Sequence, residues 1–351
     1  MSYADEVKVA IVPLLALQEQ FQCDLSMEWG GFEWWQDYQL TAGRRILISD
    51  YLMSLPFSVE TNLVEAVMHA RQTKQLRYAD GAQWRQRIRL RTGKPPWGGR
   101  TERDEDRGVE IGAHIAGFFR CVGSVVDNLA GLVVGVAGLR TPITRADVGR
   151  LRFEKQTPSG LCPEGPGREE QLKLVLAMKN ATATGPNGWW QWTDDMRNTL
   201  VHRARRVEPN MYDEKADPVM VRPLPRHPKQ TDAEARARAG RPLGEFLDED
   251  ADVTIAGILD AVIEMARATA VAAVATWDER RRDPQLILQP AEQWPTMKQG
   301  LEVPFAGCNP TELPPQRRGT ILAMNPNRTR RLQAGKLMDA DLHVWSEWLN
   351  Q

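Results

Sequence analysis

An arginine, an asparagine and a histidine lie close together in one short segment, Arg197-Asn198-Thr199-Leu200-Val201-His202. They provide a permanent cation, a small amide and an imidazole, which titrates near neutral pH. These side chains suit phosphodiester cleavage, because an imidazole can move a proton of the reacting hydroxyl while a guanidinium neutralises phosphate oxygens. Arg197, Asn198 and His202 are therefore the candidate catalytic residues.

The segment around these residues, 189–207, is predicted to be a helix with Thr193 as its N-cap and acidic residues in its first turn. In a helix, Asn198 and His202 are neighbours one turn apart and can hydrogen-bond. Arg197 would lie about 140° around the axis from His202. One helix thus supplies an incomplete site, which a second copy of the motif from a symmetry mate would complete.

At these residues the chain resembles the HEPN superfamily, whose signature is an arginine, usually a polar residue next, and a histidine a few residues later. The match is Arg197, Asn198 and His202, and the resemblance covers roughly residues 109–282. It implies a mainly α-helical bundle and a metal-independent endoribonuclease without a cofactor. It also implies a homodimer in which two motif helices face each other, a role as a toxin or antiviral defence effector, and an antitoxin or regulatory chain that would be separate.

The reaction implied by this resemblance cuts RNA through its own 2′-hydroxyl, which attacks the adjacent phosphorus. The bond from phosphorus to the 5′-oxygen of the next nucleotide breaks, and the products carry a 2′,3′-cyclic phosphate and a 5′-hydroxyl. His202 would act as general base or acid, and Arg197 would hold the phosphoryl oxygens. The candidate substrate-binding residues are three arginines after the motif and a tryptophan before it: Arg203, Arg205, Arg206 and Trp192. The tryptophans of residues 189–192 either stack unpaired bases or pack the helix entry against the bundle.

Two other functional classes stay open. One is a non-catalytic HEPN-like module that binds RNA or protein, in which Arg197 pairs on the surface with Asp194 or Asp195. The other is a purely structural helical assembly protein. Cleavage of RNA by the purified chain in EDTA, and its loss in His202→Ala, separates the enzyme from both.

The composition sets further bounds. The chain has 351 residues, 42% of them hydrophobic and 26% charged, which is typical of a soluble globular protein of two or three domains. Because the net charge is only −1, contact with RNA has to be local. No Cys-x-x-Cys pair occurs among the four cysteines, so we expect no zinc site and free thiols: Cys23, Cys121, Cys162 and Cys308. The N-terminus lacks the features of a signal peptide, which predicts a cytoplasmic protein.

Changes in composition predict three regions. Residues 1–100 are expected to form an N-terminal helical subdomain of unknown role, followed by a charged linker over 100–107. Residues 108–283 are expected to form the HEPN-like bundle, with a proline-rich insertion at 208–250. Residues 284–351 form an irregular Pro-rich tail that ends in an amphipathic docking helix.

Helical periodicity predicts long helices over residues 60–78, 111–139, 171–182 and 252–283. The second is the most apolar segment of the chain, and its apolar residues form one stripe: Phe118, Val122, Val125, Leu129, Leu132 and Val136. Small and polar residues form the opposite line, which would let another helix approach closely: Gly117, Arg120, Ser124, Asp127 and Gly131. We expect a buried helix without membrane contact, in which Arg120 or Asp127 either reaches the active site or forms a structural network.

Two charged segments allow more than one interpretation. The arginines of residues 85–91 alternate with larger residues, so they would line one face of a strand as a phosphate-binding ribbon, or scatter over a solvated helix. The acidic run at residues 248–250 precedes a predicted helix and either binds a divalent metal or complements the helix dipole. The second interpretation is the simpler one in both cases.

Overall fold

The computed structural model shows a mainly α-helical protein, as predicted. The structure describes residues 2–26, 31–40, 42–89, 101–141, 143, 146–151, 158, 160–202, 210–213, 220–241, 244–288 and 307–308. Only the backbone is described at 42–44, 46–47, 150, 201–202, 212–213, 220 and 222. The docking helix predicted at the end of the Pro-rich tail, and most of the tail itself, lie outside these residues.

The described elements are eight α-helices, one 3₁₀ turn and two short strand pairs. In chain order they are α1 (Tyr3–Asp24), β1 (Leu25–Ser26), β2 (Gly31–Phe32), the 3₁₀ turn (Glu33–Trp35), α2 (Ala42–Arg89), α3 (Glu102–Val136), α4 (Val148–Leu151), α5 (Pro166–Ala181), α6 (Trp189–His202), β3 (Asn210–Asp213), β4 (Met220–Pro223), α7 (Gln230–Arg238) and α8 (Ala251–Arg282). β1 pairs with β2 and β3 with β4, both antiparallel. The β3–β4 pair lies in the predicted insertion, where no strand was predicted.

Helix α3 is at the centre of the bundle and packs against α2, α6 and α8. All six residues of its predicted apolar stripe are fully buried, which confirms the stripe. The predicted close approach is also confirmed, because the His69 ring of α2 lies against Gly117 and the Leu55 side chain of α2 lies against Gly131. Glycines on this line let α2 and α3 run close together over much of their length.

Helix α3 is also long and apolar enough to cross a membrane, and is the one described helix of which this holds. Of its most apolar window, 78% is buried inside the fold. The core helix of a soluble protein has the same properties, so length and composition alone are weak evidence for a membrane span.

The charged linker predicted over residues 100–107 is wrong, because α3 begins at Glu102. Thr101 and Asp104 form a capping box, in which the Thr101 backbone N–H donates to the Asp104 carboxylate at 2.9 Å. Asp104 is buried and also accepts from Arg87 of α2. The hydrogen bond from the Thr101 backbone, with help from Arg87, lowers the pKa of Asp104 to about 2. The charges that indicated a linker therefore satisfy one another at a helix start.

Helix α2 is much longer than its predicted core of residues 60–78 and continues to Arg89, with Pro56 inside it. The strand interpretation of the arginine-rich segment is therefore wrong for residues 85–89, while Arg91 lies outside the described residues. Side chains of α1 and α2 share one hydrophobic core with α3 and α8. The predicted boundary near residue 100 falls between α2 and α3, and residues on both sides of it belong to this core.

Arg280 of α8 closes one end of the core. It is fully buried, and its guanidinium donates to the carbonyl oxygens of Val136 at 2.6 Å and Gly135 at 3.3 Å. These carbonyls end α3, where the helix dipole favours a cation. A third bond goes to the Ile287 carbonyl at 3.3 Å. One buried cation therefore ties the end of α3 to the segment after α8.

The beginning of α8 follows the simpler interpretation of the acidic run. Asp250 is the N-cap, and its carboxylate accepts from the backbone N–H of Asp252 at 2.8 Å. The predicted helices over 171–182 and 252–283 are confirmed as α5 and α8.

Candidate functional site

The motif helix α6 begins at Trp189, the first residue of the predicted segment and four residues before the predicted N-cap. Trp189 is buried, and its indole Nε1 donates to the Thr182 carbonyl at 2.8 Å, which fixes the helix entry against the end of α5. The prediction of Thr193 as N-cap is wrong, since Thr193 is buried within the helix and its hydroxyl donates to the Trp189 carbonyl at 2.7 Å. The motif residues consequently lie in the second half of a well-anchored helix.

Arg197 points from α6 towards α3. Its Nη1 forms an ion pair with Oδ2 of Asp127, at a distance of 2.9 Å, and the two side chains are 29% and 25% exposed. Oδ1 of Asp127 also accepts from the backbone N–H of Val148, at 3.4 Å. Asp127 is thus the residue of the polar line on α3 that reaches the motif, and it takes the place of the acids of α6 considered for Arg197 in the sequence.

Gly123 of α3 makes this ion pair sterically feasible. Gly123 is buried, and a Cβ at this position would lie 2.7 Å from Nε and 3.0 Å from Cζ of Arg197. Any larger residue would therefore displace the arginine side chain. Gly123 was not predicted as part of the site, although a glycine within an apolar helix is a signal for close approach by another group.

Asn198 and His202 are one turn apart on α6, as predicted. Asn198 is exposed, and its Nδ2 donates to Oδ2 of Asp194 at 3.3 Å, one turn towards the start of the helix. The bond described for Asn198 is therefore not the predicted one to His202, whose side chain is outside the described residues. The candidate substrate-binding residues Arg203, Arg205 and Arg206 are outside them as well.

Two further acids of α6 border Arg197. Burial, followed by the neighbouring charges of Asp195 and Asp127, raises the pKa of Asp194, while Arg197 lowers it. Oδ2 of Asp195 lies 2.6 Å from Nζ of Lys229, which immediately precedes α7, so this ion pair attaches the insertion to the motif helix. The described charges around Arg197 are thus three carboxylates and two cations, Arg197 included.

Trp192 is half-buried and packs edge-on against Phe119 of α3, with ring centroids 5.8 Å apart. Its indole Nε1 is buried and has no hydrogen-bond partner within the described part of the chain. The contacts of Trp192 and Trp189 are those of the core-packing alternative, with the rings turned to the bundle.

The described residues contain no group of three or more His, Cys, Asp or Glu side chains placed to hold a metal ion. The described group of the site that can bind an anion is the guanidinium of Arg197. A guanidinium has five N–H donors, and the ion pair with Asp127 involves one of its nitrogens, so donors are left for the oxygens of a phosphate. No known protein family matches the chain, and neither a curated protein nor a solved structure does.

Proposed function

We propose that the chain is a metal-independent endoribonuclease of the HEPN type, which cuts RNA by attack of the 2′-hydroxyl and leaves a 2′,3′-cyclic phosphate. The observation that supports it best is the partly exposed guanidinium of Arg197, which lies on the same helix as His202 and is held by Asp127 of α3. In this proposal Arg197 neutralises the phosphoryl oxygens and His202 transfers the proton.

The fixed position of Arg197 is the physical reason for this choice. A free arginine on a helix surface samples many rotamers, and ordering it against a phosphate costs conformational entropy. Here the ion pair with Asp127 and the contact with Gly123 order the side chain of Arg197 before substrate binds. A pre-positioned cation stabilises developing charge without reorganisation during the reaction.

The charges around Arg197 favour a dimeric site. The described carboxylates outnumber the described cations, so RNA needs further positive charge close by. The arginines that follow His202, and the same residues of a second copy, would supply it. His202 is about 7.5 Å along the axis from Arg197, so a composite site with Arg197 of one copy and His202 of the other is the arrangement we propose.

Cleavage of end-labelled RNA in EDTA tests the activity. We expect products with cyclic phosphate ends, and a loss of about 10²-fold or more in Arg197→Ala and His202→Ala. Arg282→Ala, at an exposed position of α8, is the matched control and should cleave like the wild type. Circular dichroism checks that each variant is folded. Undiminished cleavage in folded His202→Ala, or a requirement for a divalent metal, would contradict the proposal.

Mixing the two inactive variants tests the composite site. If Arg197 and His202 act from different copies, a mixed dimer of Arg197→Ala and His202→Ala has one complete site and one doubly damaged site. Random exchange then restores about a quarter of the wild-type rate. No recovery, with mixed dimers demonstrated, shows that the two residues act within one copy.

A second candidate is a non-catalytic HEPN-like module that binds RNA or protein. The observation that favours it is that the Arg197–Asp127 ion pair also joins α6 to α3, which is a sufficient structural role. Binding of RNA without cleavage, unchanged in His202→Ala, identifies this alternative. A role as a toxin or in antiviral defence follows only from the nuclease, and growth arrest on expression, relieved in His202→Ala, tests it.

A further inference from the structure

A cleft separate from the motif site lies between the second half of α2, strand β4 and the start of α8. Its volume is about 520 Å³, within the range of small-molecule sites. One face of α2 forms its longest wall, with lining residues at alternating spacings of three and four: Arg71, Lys74, Tyr78, Gly81 and Arg85. Arg77, Val221, Pro223, Asp250 and Asp252 complete most of the lining.

The acids of this cleft are already engaged by the protein. Asp252 accepts from Arg77 at 3.0 Å, and Asp250 is the N-cap of α8. Arg71 pairs with Glu6 and lies over the ring of Tyr3. Both acids that line the cleft are therefore engaged in these interactions. The other cations of the cleft have no lining carboxylate as a partner.

Lys74 and Arg85 are those other cations. Neither forms an ion pair with a carboxylate of the residues that the structure describes. Lys74 is exposed and Arg85 half-buried, one turn before and two turns after Tyr78 on the same helix face. Because none of the α2 residues that line the cleft is acidic, these two cations make it attractive to an anion such as a phosphate.

Tyr78 adds a second kind of recognition. Its side chain is unusually open for a large aromatic residue, at 75% exposed, and the guanidinium carbon of Arg85 lies 5.8 Å from its ring centroid. Gly81 leaves the wall between Tyr78 and Arg85 without a side chain. An open aromatic face beside an arginine is a platform on which a flat heterocycle stacks.

We infer that this cleft binds a free nucleoside phosphate, with the base on Tyr78 and the phosphate on Lys74 and Arg85, the two cations that no described carboxylate pairs with. A heterocycle and a phosphate are the two groups that this combination of ring and charge recognises, and the volume accommodates one nucleotide. The inference does not depend on RNA cleavage. The cleft does adjoin the motif helix, because Arg77 also lines a small apolar cavity together with Trp192 and Met196 of α6.

Isothermal titration calorimetry on the full chain tests this site with AMP, GMP, adenosine, inorganic phosphate and a single-stranded oligonucleotide. We expect one AMP or GMP per chain, and binding at least about tenfold weaker for adenosine and for phosphate, each of which lacks one recognised group. Tyr78→Ala should weaken AMP binding by about tenfold or more while Tyr78→Phe retains it, because phenylalanine keeps the ring.

The charge variants complete the test. Lys74→Ala and Arg85→Ala should each weaken AMP binding by about tenfold, whereas Lys173→Ala, at an exposed position of α5, should not. Thermal unfolding confirms that the variants are folded. The inference is overturned if no mononucleotide binds at millimolar concentration, if adenosine or phosphate alone binds as tightly as AMP, or if only the oligonucleotide binds. Equal affinity for AMP in wild type, Tyr78→Ala and Lys74→Ala would overturn it as well.

Discussion

The variant Gly123→Ala moves the side chain of Arg197 while the arginine itself is kept. The added Cβ would lie 2.7 Å from Nε of Arg197, whereas ordinary van der Waals contact begins near 3.4 Å. The middle of the arginine side chain therefore has to move by about 0.7 Å or more. The 2.9 Å distance between Arg197 and Asp127 cannot stay unchanged when it does. The chemistry of the motif stays complete, so the variant tests geometry alone.

The free energy of unfolding should change little in this variant. Replacing glycine by alanine within a helix stabilises it by about 1 kcal/mol, and losing a partly exposed ion pair costs about 0.2–1 kcal/mol. The two effects nearly cancel. Misplacing a catalytic group by about 1 Å, in contrast, costs about 10²-fold in rate. We therefore expect a stable protein that cleaves RNA about a hundredfold more slowly.

Gly108→Ala provides the matched control. Gly108 lies on the same helix, and a Cβ there would meet nothing within 4 Å, so this variant should gain the same helix stabilisation and keep full activity. Urea unfolding and the RNA assay in EDTA measure the two quantities for both variants. Wild-type cleavage by Gly123→Ala would refute the argument that Asp127 and Gly123 position Arg197. A loss of more than about 3 kcal/mol would show that the side chain cannot move aside.

Three further predictions concern the bundle. Arg280→Ala should lower the free energy of unfolding by about 3–5 kcal/mol, because it removes the guanidinium donor of the Val136 carbonyl and leaves a cavity in the core. The exposed Arg282→Ala should change it by less than about 0.5 kcal/mol, and equal effects in urea unfolding would contradict this. Burial, aided by the charges of nearby histidine and arginine side chains, lowers the pKa of His69 below 6.5. As the pH drops, His69 is therefore protonated in the unfolded chain before it is protonated in the folded one, and the free energy of unfolding should fall below pH 6.5. Urea unfolding across this range should show a weaker dependence in His69→Phe, and an unchanged one would be evidence against the assignment. Burial raises the pKa of Cys121 to about 11, so at pH 8 Ellman's reagent should modify it far more slowly than the exposed Cys23, and equal rates would exclude the buried, protonated thiol.

Apolar periodicity predicted the fold where burial dominates. The stripe of α3 was identified residue by residue, because a helix buried on most sides needs an apolar residue at every third or fourth position. The start of the same helix was not identified, since the charges of residues 100–107 resemble a solvated linker. Only the structure shows that Asp104 is buried and bonded to Thr101 and Arg87. A run of charged residues in a sequence does not show whether its side chains are solvated or pair with residues far away in the chain.

The extent of α2 exposes a different limit. Its 48 residues include a proline and many polar side chains, and no single apolar stripe marks the whole helix. Its neighbours change along its length, from the core around Leu52 and Leu63 to the open cleft at Tyr78. A helix that passes from core to cleft has no constant buried face, so periodicity predicts only its most regular part.

The chemistry of the candidate site was predicted, but of its partners only Asp127 was, as one of two α3 residues that could reach it. The motif itself provided Arg197, and helical spacing put Asn198 and His202 on neighbouring turns. Asp127 and Gly123 precede Arg197 by 70 and 74 residues, and nothing in the local sequence pairs either of them with Arg197. The connection comes from the packing of α6 across α3, which brings a carboxylate to the guanidinium and a bare backbone beneath it. The same ion pair joins α6 to α3, so helix packing alone would account for it, whereas a cation held for a phosphate also has to keep its position. Slow cleavage by a stable Gly123→Ala protein would therefore indicate the second role.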